Sequence, residues 1–226
     1  MSAFADVGRV LFEPEAVFTR VAEKPRIWQP FVVLAVALVV IQVLMLPYAK
    51  AAMEPFYEQM AAQSPERAEQ ARKFAGLGVA FWPIIFALIL LINAGLLWVL
   101  VSLVGGEAKF AQLLSVAAYV AVTFVLTQLV TLAIMMVKGK ESVTSMGDLQ
   151  PPIGLDLLIP AGGRFASYLL KGINPFSIWG VILTATGVRV THRLSKGAAY
   201  TVAIAVSLIL LLVGVFFAVT CTPKTS

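Results

Sequence analysis

Cysteine and histidine are nearly missing from this chain: Cys221 and His192 are the only ones among its 226 residues. One cysteine excludes an intramolecular disulfide, and the pair together leaves no His/Cys cluster of the kind that binds zinc or iron. Charge is scarce as well, at 13% of residues, and it is absent from five long stretches: Ile27 to Ala49, Phe74 to Gly106, Phe110 to Val137, Gly172 to Val188 and Gly197 to Pro223. No Asp, Glu or His lies inside any of them. That removes the embedded acids of proton-coupled carriers and the aspartates or Ser/His pairs of intramembrane proteases. No GxxxxGK[ST] phosphate loop occurs, so nucleotide hydrolysis has no motif to rest on. The expectation is a protein that is not an enzyme and holds no cofactor or metal.

What is present is apolar surface in membrane-sized lengths. Hydrophobic residues make up 60% of the chain, and a helix of roughly 20 apolar residues crosses a hydrocarbon core about 30 Å thick. Only segments whose backbone groups bond internally can do so. The fold expected is all-α: a polytopic membrane protein with five transmembrane helices and short interfacial amphipathic helices. The net charge of +5 comes from basic residues that flank the stretches, where they read as topology signals and lipid contacts rather than a nucleic-acid surface.

Three parts follow from this pattern: residues 1–26 as an interfacial lead, 27–222 as the five-span membrane domain, and 223–226 as a short tail. In the lead, Val7, Val10, Leu11, Val17, Phe18 and Val21 recur at helical spacing, and Pro14 divides the segment into two short helices. Leu11, Val17 and Phe18 are expected to dock on the membrane surface. The first span is expected over Trp28 to Tyr48 as an uncleaved anchor, with a separate short helix after the cap Ser64-Pro65-Glu66. The second and third spans, Leu77 to Val104 and Phe110 to Val137, should form an antiparallel hairpin about the turn Gly105 to Lys109. From Lys138 to Lys171, Pro151, Pro152, Pro160, Gly154, Gly162 and Gly163 mark a loop. A short amphipathic helix should follow it, with Phe165 and Leu169 toward lipid. The fourth stretch has only 17 uncharged residues, at the low end for a span.

Several polar and small residues inside the spans are candidates for helix contacts. Asn93, mid-span, should face another helix, because an unpaired amide in hydrocarbon is costly. Ser115, Tyr119, Thr123 and Thr127 recur every four residues on the third span. Such a stripe could line a polar path, but hydroxyls in membrane helices more often bond their own backbone and permit close packing. Gly180, Thr184 and Gly187 on the fourth span, with Ala199, Ala203 and Ser207 on the fifth, are candidate close-packing positions that would let these two helices meet or form a homo-oligomer seam. His192 reads as a solvated loop residue beside Arg193.

The order of pieces resembles the Yip1 domain family. The match rests on Leu11-Phe12-Glu13-Pro14, the proline-flanked first span, Gly105-Gly106-Glu107-Ala108-Lys109-Phe110 and Ser115-Val116-Ala117-Ala118-Tyr119. Further on it rests on Asn174-Pro175-Phe176-Ser177-Ile178-Trp179, then Gly187 and Lys196-Gly197-Ala198. The resemblance covers about residues 8 to 220. It implies five membrane helices with a cytoplasmic N-terminus and a C-terminus on the opposite side, in agreement with the density of Lys and Arg in the shorter loops. The chain lacks the Asp-Leu-Tyr-Gly-Pro signature and long polar N-terminal region of eukaryotic members, so Rab binding is not carried over. Its compact form is similar to the prokaryotic branch, some members of which accompany multicomponent export systems. The expected role is therefore a noncatalytic protein of a prokaryotic cytoplasmic membrane whose partners are lipids and other membrane proteins, among them an export transporter. Accessory export subunit and small carrier or channel are the alternatives.

Overall fold

The computed structural model describes residues 3–159 and 162–221, so the tail assigned to 223–226 lies outside the described residues. These residues form ten α-helices, with no strand among them. Four helical runs are long and apolar enough to cross a membrane: Trp28–Gln63, Leu77–Leu103, Phe110–Lys138 and Lys196–Thr220.

Two short helices open the chain, α1 (Ala3–Arg9) and α2 (Pro14–Glu23). Pro14 starts the second, where its missing N–H costs nothing. Next comes α3 (Trp28–Gln63), a single helix of 36 residues that contains the expected span Trp28 to Tyr48 and continues beyond it, with both Pro47 and Pro55 inside the helix. At 1.5 Å per residue it is about 54 Å long, well beyond the hydrocarbon thickness. The surplus pairs with α4 (Pro65–Phe74), which begins at the expected Ser64-Pro65 boundary and folds back along α3. Arg72 donates to Glu54 at 2.5 Å, and its guanidinium lies 5.7 Å from the Tyr57 ring centre.

The expected hairpin is present as α5 (Trp82–Leu103) against α6 (Phe110–Val120), turned at Gly105 with φ +81°. The third apolar run is not one continuous helix. It divides at Ala121 into α6 and α7 (Val122–Lys138). The loop that follows is built from short 3₁₀ turns, and in one of them Asp148 accepts from the Thr144 and Ser145 backbone N–H groups. The Thr144 bond, ahead of those from Ser145, holds this carboxyl below its usual range. Then come α8 (Arg164–Gly172), α9 (Pro175–His192) and α10 (Lys196–Cys221).

Asn174 caps α9, its Oδ1 accepting from the backbone N–H groups of Phe176 and Ser177 at 3.0 Å each. With 18 residues, α9 is not among the four runs that qualify as spans by length and composition. Its surroundings explain the difference: α9 packs against α2, α6, α7 and α10, so its neighbours are mostly protein. Gly180, Thr184, Gly187 and Thr191 are buried there. Small and hydroxyl side chains lower its hydropathy and let the neighbouring backbones come close.

The main core joins α1, α2, α3, α5, α6 and α7 through Val10, Phe18, Leu38, Phe86, Val116 and Tyr119 among others. Outward-facing positions are also apolar, as on α5 at Ile84, Leu88, Ile92 and Trp98, which is the pattern of helices solvated by lipid tails.

Candidate functional site

The first two helices are not a loose surface anchor. Val10, Val17 and Phe18 are fully buried, and α2 lies against α9 and α6. This corrects the expectation that Val17 and Phe18 dock on lipid: their apolar face is buried in protein, and Leu11 is partly buried against the same core. Amphipathic spacing identifies which side chains leave water but not which apolar medium receives them.

Polar contacts fix the pair in place. Asp6, only 1% exposed, accepts from Arg20 Nη2 at 2.7 Å and Nε at 3.2 Å, with Arg26 4.0 Å away. Glu15 of α2 pairs with Arg189 of α9. Gln112 of α6 donates through Nε2 to the Ala22 carbonyl at 2.7 Å.

Below the C-terminal turn of α2 this arrangement encloses a polar pocket of about 520 Å³. Thr19, Ala22 and Glu23 supply one wall, Glu107, Lys109 and Gln112 a second, and Val190 to Arg193 the third. Three chain segments far apart in sequence meet there because the ends of α2 and α9 and the start of α6 lie at the same end of the bundle. Arg193 closes α9 in the left-handed conformation (φ 50°, ψ 33°), which turns the chain sharply into the short link to α10.

His192, read from sequence as a solvated loop residue, is instead bonded at both ring nitrogens. The Lys109 backbone N–H donates to Nε2 at 3.2 Å. Nδ1 lies 2.7 Å from Thr191 Oγ1, whose own hydroxyl donates to the Gly187 carbonyl. An Nε2 that accepts must carry a lone pair, so this arrangement holds the neutral imidazole with its proton on Nδ1. Gln112, 8% exposed, has an Oε1 with no hydrogen-bond partner among the described residues. The sequence signal for this site was weak: a glutamine just inside the third apolar stretch and a histidine just past the fourth.

The residues singled out from sequence lie elsewhere. Ser115 donates to the Ala111 carbonyl, Thr123 to Val120 and Thr127 to Thr123, at 2.9 to 3.0 Å. Ser115 and Thr127 return to their own helices and Thr123 spans the break between α7 and α6, so all three bonds stay within the third apolar run and form neither a network to another span nor a polar path. Tyr119 is fully buried in the core and lies within electrostatic reach of Asp6, Arg20 and Arg26. Asn93 is half-buried on α5 and makes no hydrogen bond to a described side chain, contrary to the expected interhelical contact.

The two helices expected to meet, α9 and α10, do pack together, with Ala199 and Ala203 fully buried and Ser207 half-buried. The glycines of α9 look the other way. A Cβ on Gly180 would lie 3.1 Å from Thr123 Oγ1, and one on Gly187 would lie 2.6 Å from Val116 and 3.2 Å from Phe18. Thr184 is buried and bonds back to the Gly180 carbonyl at 2.8 Å. On α8, Phe165 is 52% exposed and Leu169 half-buried, while the helix itself rests on α10.

A bundle of this kind, apolar outside and polar at its ends, defines a multi-pass helical membrane protein. Residues 8–218 match the model of the Yip1 domain, and the chain belongs to that family. It is similar to the membrane protein YknW of Bacillus subtilis, with 28% identity over 212 residues, 92% of this chain and 87% of that one. No solved structure matches it.

Proposed function

We propose that this is a noncatalytic protein of the prokaryotic cytoplasmic membrane that works by docking other membrane proteins, with five spans and its N-terminus in the cytoplasm. α9 serves as the fourth span in sequence order, about 27 Å long by helical rise, and Trp179 and Arg189 near its ends extend its reach. On this reading α1, α2 and the polar pocket face the cytoplasm. The α3–α4 hairpin, residues 139–159 and α8 lie on the other side, where Phe165 together with exposed Leu157 and Leu158 rests on the bilayer.

The observation that carries the docking role is the hairpin. A bilayer needs only about 20 residues of α3, yet the helix runs on for a further four turns and is braced by α4 through Arg72, Glu54 and Tyr57. Its exposed side includes Phe56, Glu58, Arg67 and Glu69. A braced, charged protrusion with an exposed aromatic residue suits a protein partner more than a solute. Against a carrier role stands the interior, where apolar side chains fill the space between helices and the third-span hydroxyls return to their own backbone.

A photo-crosslinking residue at Glu58 or Arg67, with Lys140 as the comparison position, tests this in native membranes. Discrete adducts to another membrane protein are expected from the hairpin and not from Lys140. A transporter subunit among them would specify the accessory-subunit form of the role. Adducts absent from both hairpin positions would contradict it.

A further inference from the structure

We propose that the pocket beneath α2 binds a phosphate ester that also carries a primary ammonium group, the chemistry of an aminophospholipid headgroup or of the free phosphoamine. Its rim holds two acids and two bases, Glu23, Glu107, Lys109 and Arg193. None of the four is ion-paired with a described residue, although the acidic and basic groups surround one cavity. A simple anion would meet the two carboxylates, and a simple cation would meet the lysine and arginine. A zwitterion satisfies both: guanidinium and ammonium groups pair with the phosphate, and the carboxylates accept from the ligand's N–H groups.

The rim acids sharpen the choice. The Glu23 and Glu107 carboxylates accept N–H hydrogen bonds, which a primary ammonium donates and a quaternary one cannot. Its volume of about 520 Å³ falls in the range of small-molecule sites. Its depth also fits a headgroup, since Lys109 immediately precedes the apolar stretch that starts at Phe110 and Arg193 follows the one that ends at Val188. The proposal does not depend on the docking role of the hairpin at the opposite end.

Native mass spectrometry of the full-length protein, released from bilayers of equal phosphatidylethanolamine, phosphatidylcholine and phosphatidylglycerol, gives the test. Soluble phosphoethanolamine is added as a competitor in a parallel arm. Retention of phosphatidylethanolamine about tenfold above the other two is expected, as one lost charge-assisted bond is a factor of about ten or more. Glu107→Gln and Lys109→Gln, both at exposed rim positions, should each abolish that preference without moving the melting temperature. Lys140→Gln, at the other end of the bundle, should leave it intact. Displacement by soluble phosphoethanolamine would identify a free phosphoamine as ligand, and retention against it a lipid. Equal retention of phosphatidylcholine, a preference for phosphatidylglycerol, or a preference indifferent to Glu107→Gln and Lys109→Gln would overturn the proposal.

Discussion

Gly187→Leu is expected to unseat α2 and lower stability by about 3 kcal/mol, the upper part of the range for overpacking a close contact. The reason is geometric. Even a Cβ at this position would lie 2.6 Å from Val116 and 3.2 Å from two ring carbons of Phe18. Val116 and Phe18 are both fully buried, so neither has space to withdraw into. Thermal unfolding in a mild detergent should begin well below the wild-type midpoint, and a cysteine at Val21, buried on the same face of α2, should gain reactivity toward a thiol reagent as α2 lifts. An unchanged midpoint together with an unreactive Val21 position would show that α2 does not rest on α9.

The complementary change, Phe18→Ala, should cost about 3 to 5 kcal/mol, as is usual when a fully buried phenylalanine is truncated in a core that cannot collapse. The two sites face each other, so their effects should not add. In a Phe18→Ala background, Gly187→Ala should cost distinctly less than it does alone, because the clash with the ring has gone and the new methyl fills part of the cavity. Strict additivity across the four proteins would place Phe18 outside contact with α9. A loss below about 1 kcal/mol for Phe18→Ala would match a lipid-facing side chain instead, since alanine leaves no cavity in a fluid.

The difference between those outcomes marks where sequence reading stops. Pro14 and the spacing of Val10, Val17, Phe18 and Val21 give two short helices with one apolar face, and α1 and α2 have that face. Lipid and protein interior select the same residue types, so the pattern carries no information on which one covers it. The partner that decides is Gly187, far along the chain, whose missing side chain leaves the recess for Phe18. The Gly105 to Lys109 turn, by contrast, was fully local: flanking apolar stretches and a glycine with positive φ suffice for the α5–α6 hairpin.

The unbroken length of α3 depends on tertiary contacts in the same way. Pro47 and Pro55 remove backbone donors, which in isolation ends a helix. Here α4, α7 and the 3₁₀ turns of the following loop pack along α3, and Ala52, Met135 and Val143 share a buried cluster, so tertiary contacts carry the helix past both prolines. Asn93 shows the opposite limit: a mid-span amide points to a helix partner by its desolvation cost, yet none of the described side chains bonds to it. The polar pocket was the least legible of all. Residues 19–23, 107–112 and 190–193 become neighbours only once α2 is docked and α9 returns to the end where α6 begins.

The proposed crossing of the membrane by α9 would put Ser195, the pocket and the N-terminal helices on one side and the hairpin and Ser142 on the other. Labelling of single cysteines in intact cells with an impermeant thiol reagent, with Cys221 replaced by serine, measures it directly. Cysteines at Ser2 and Ser195 should stay unlabelled until the membrane is permeabilised, whereas one at Ser142 should react at once. Labelling of Ser195 alongside Ser142 would mean that α9 does not cross and would contradict the five-span arrangement on which the cytoplasmic pocket rests.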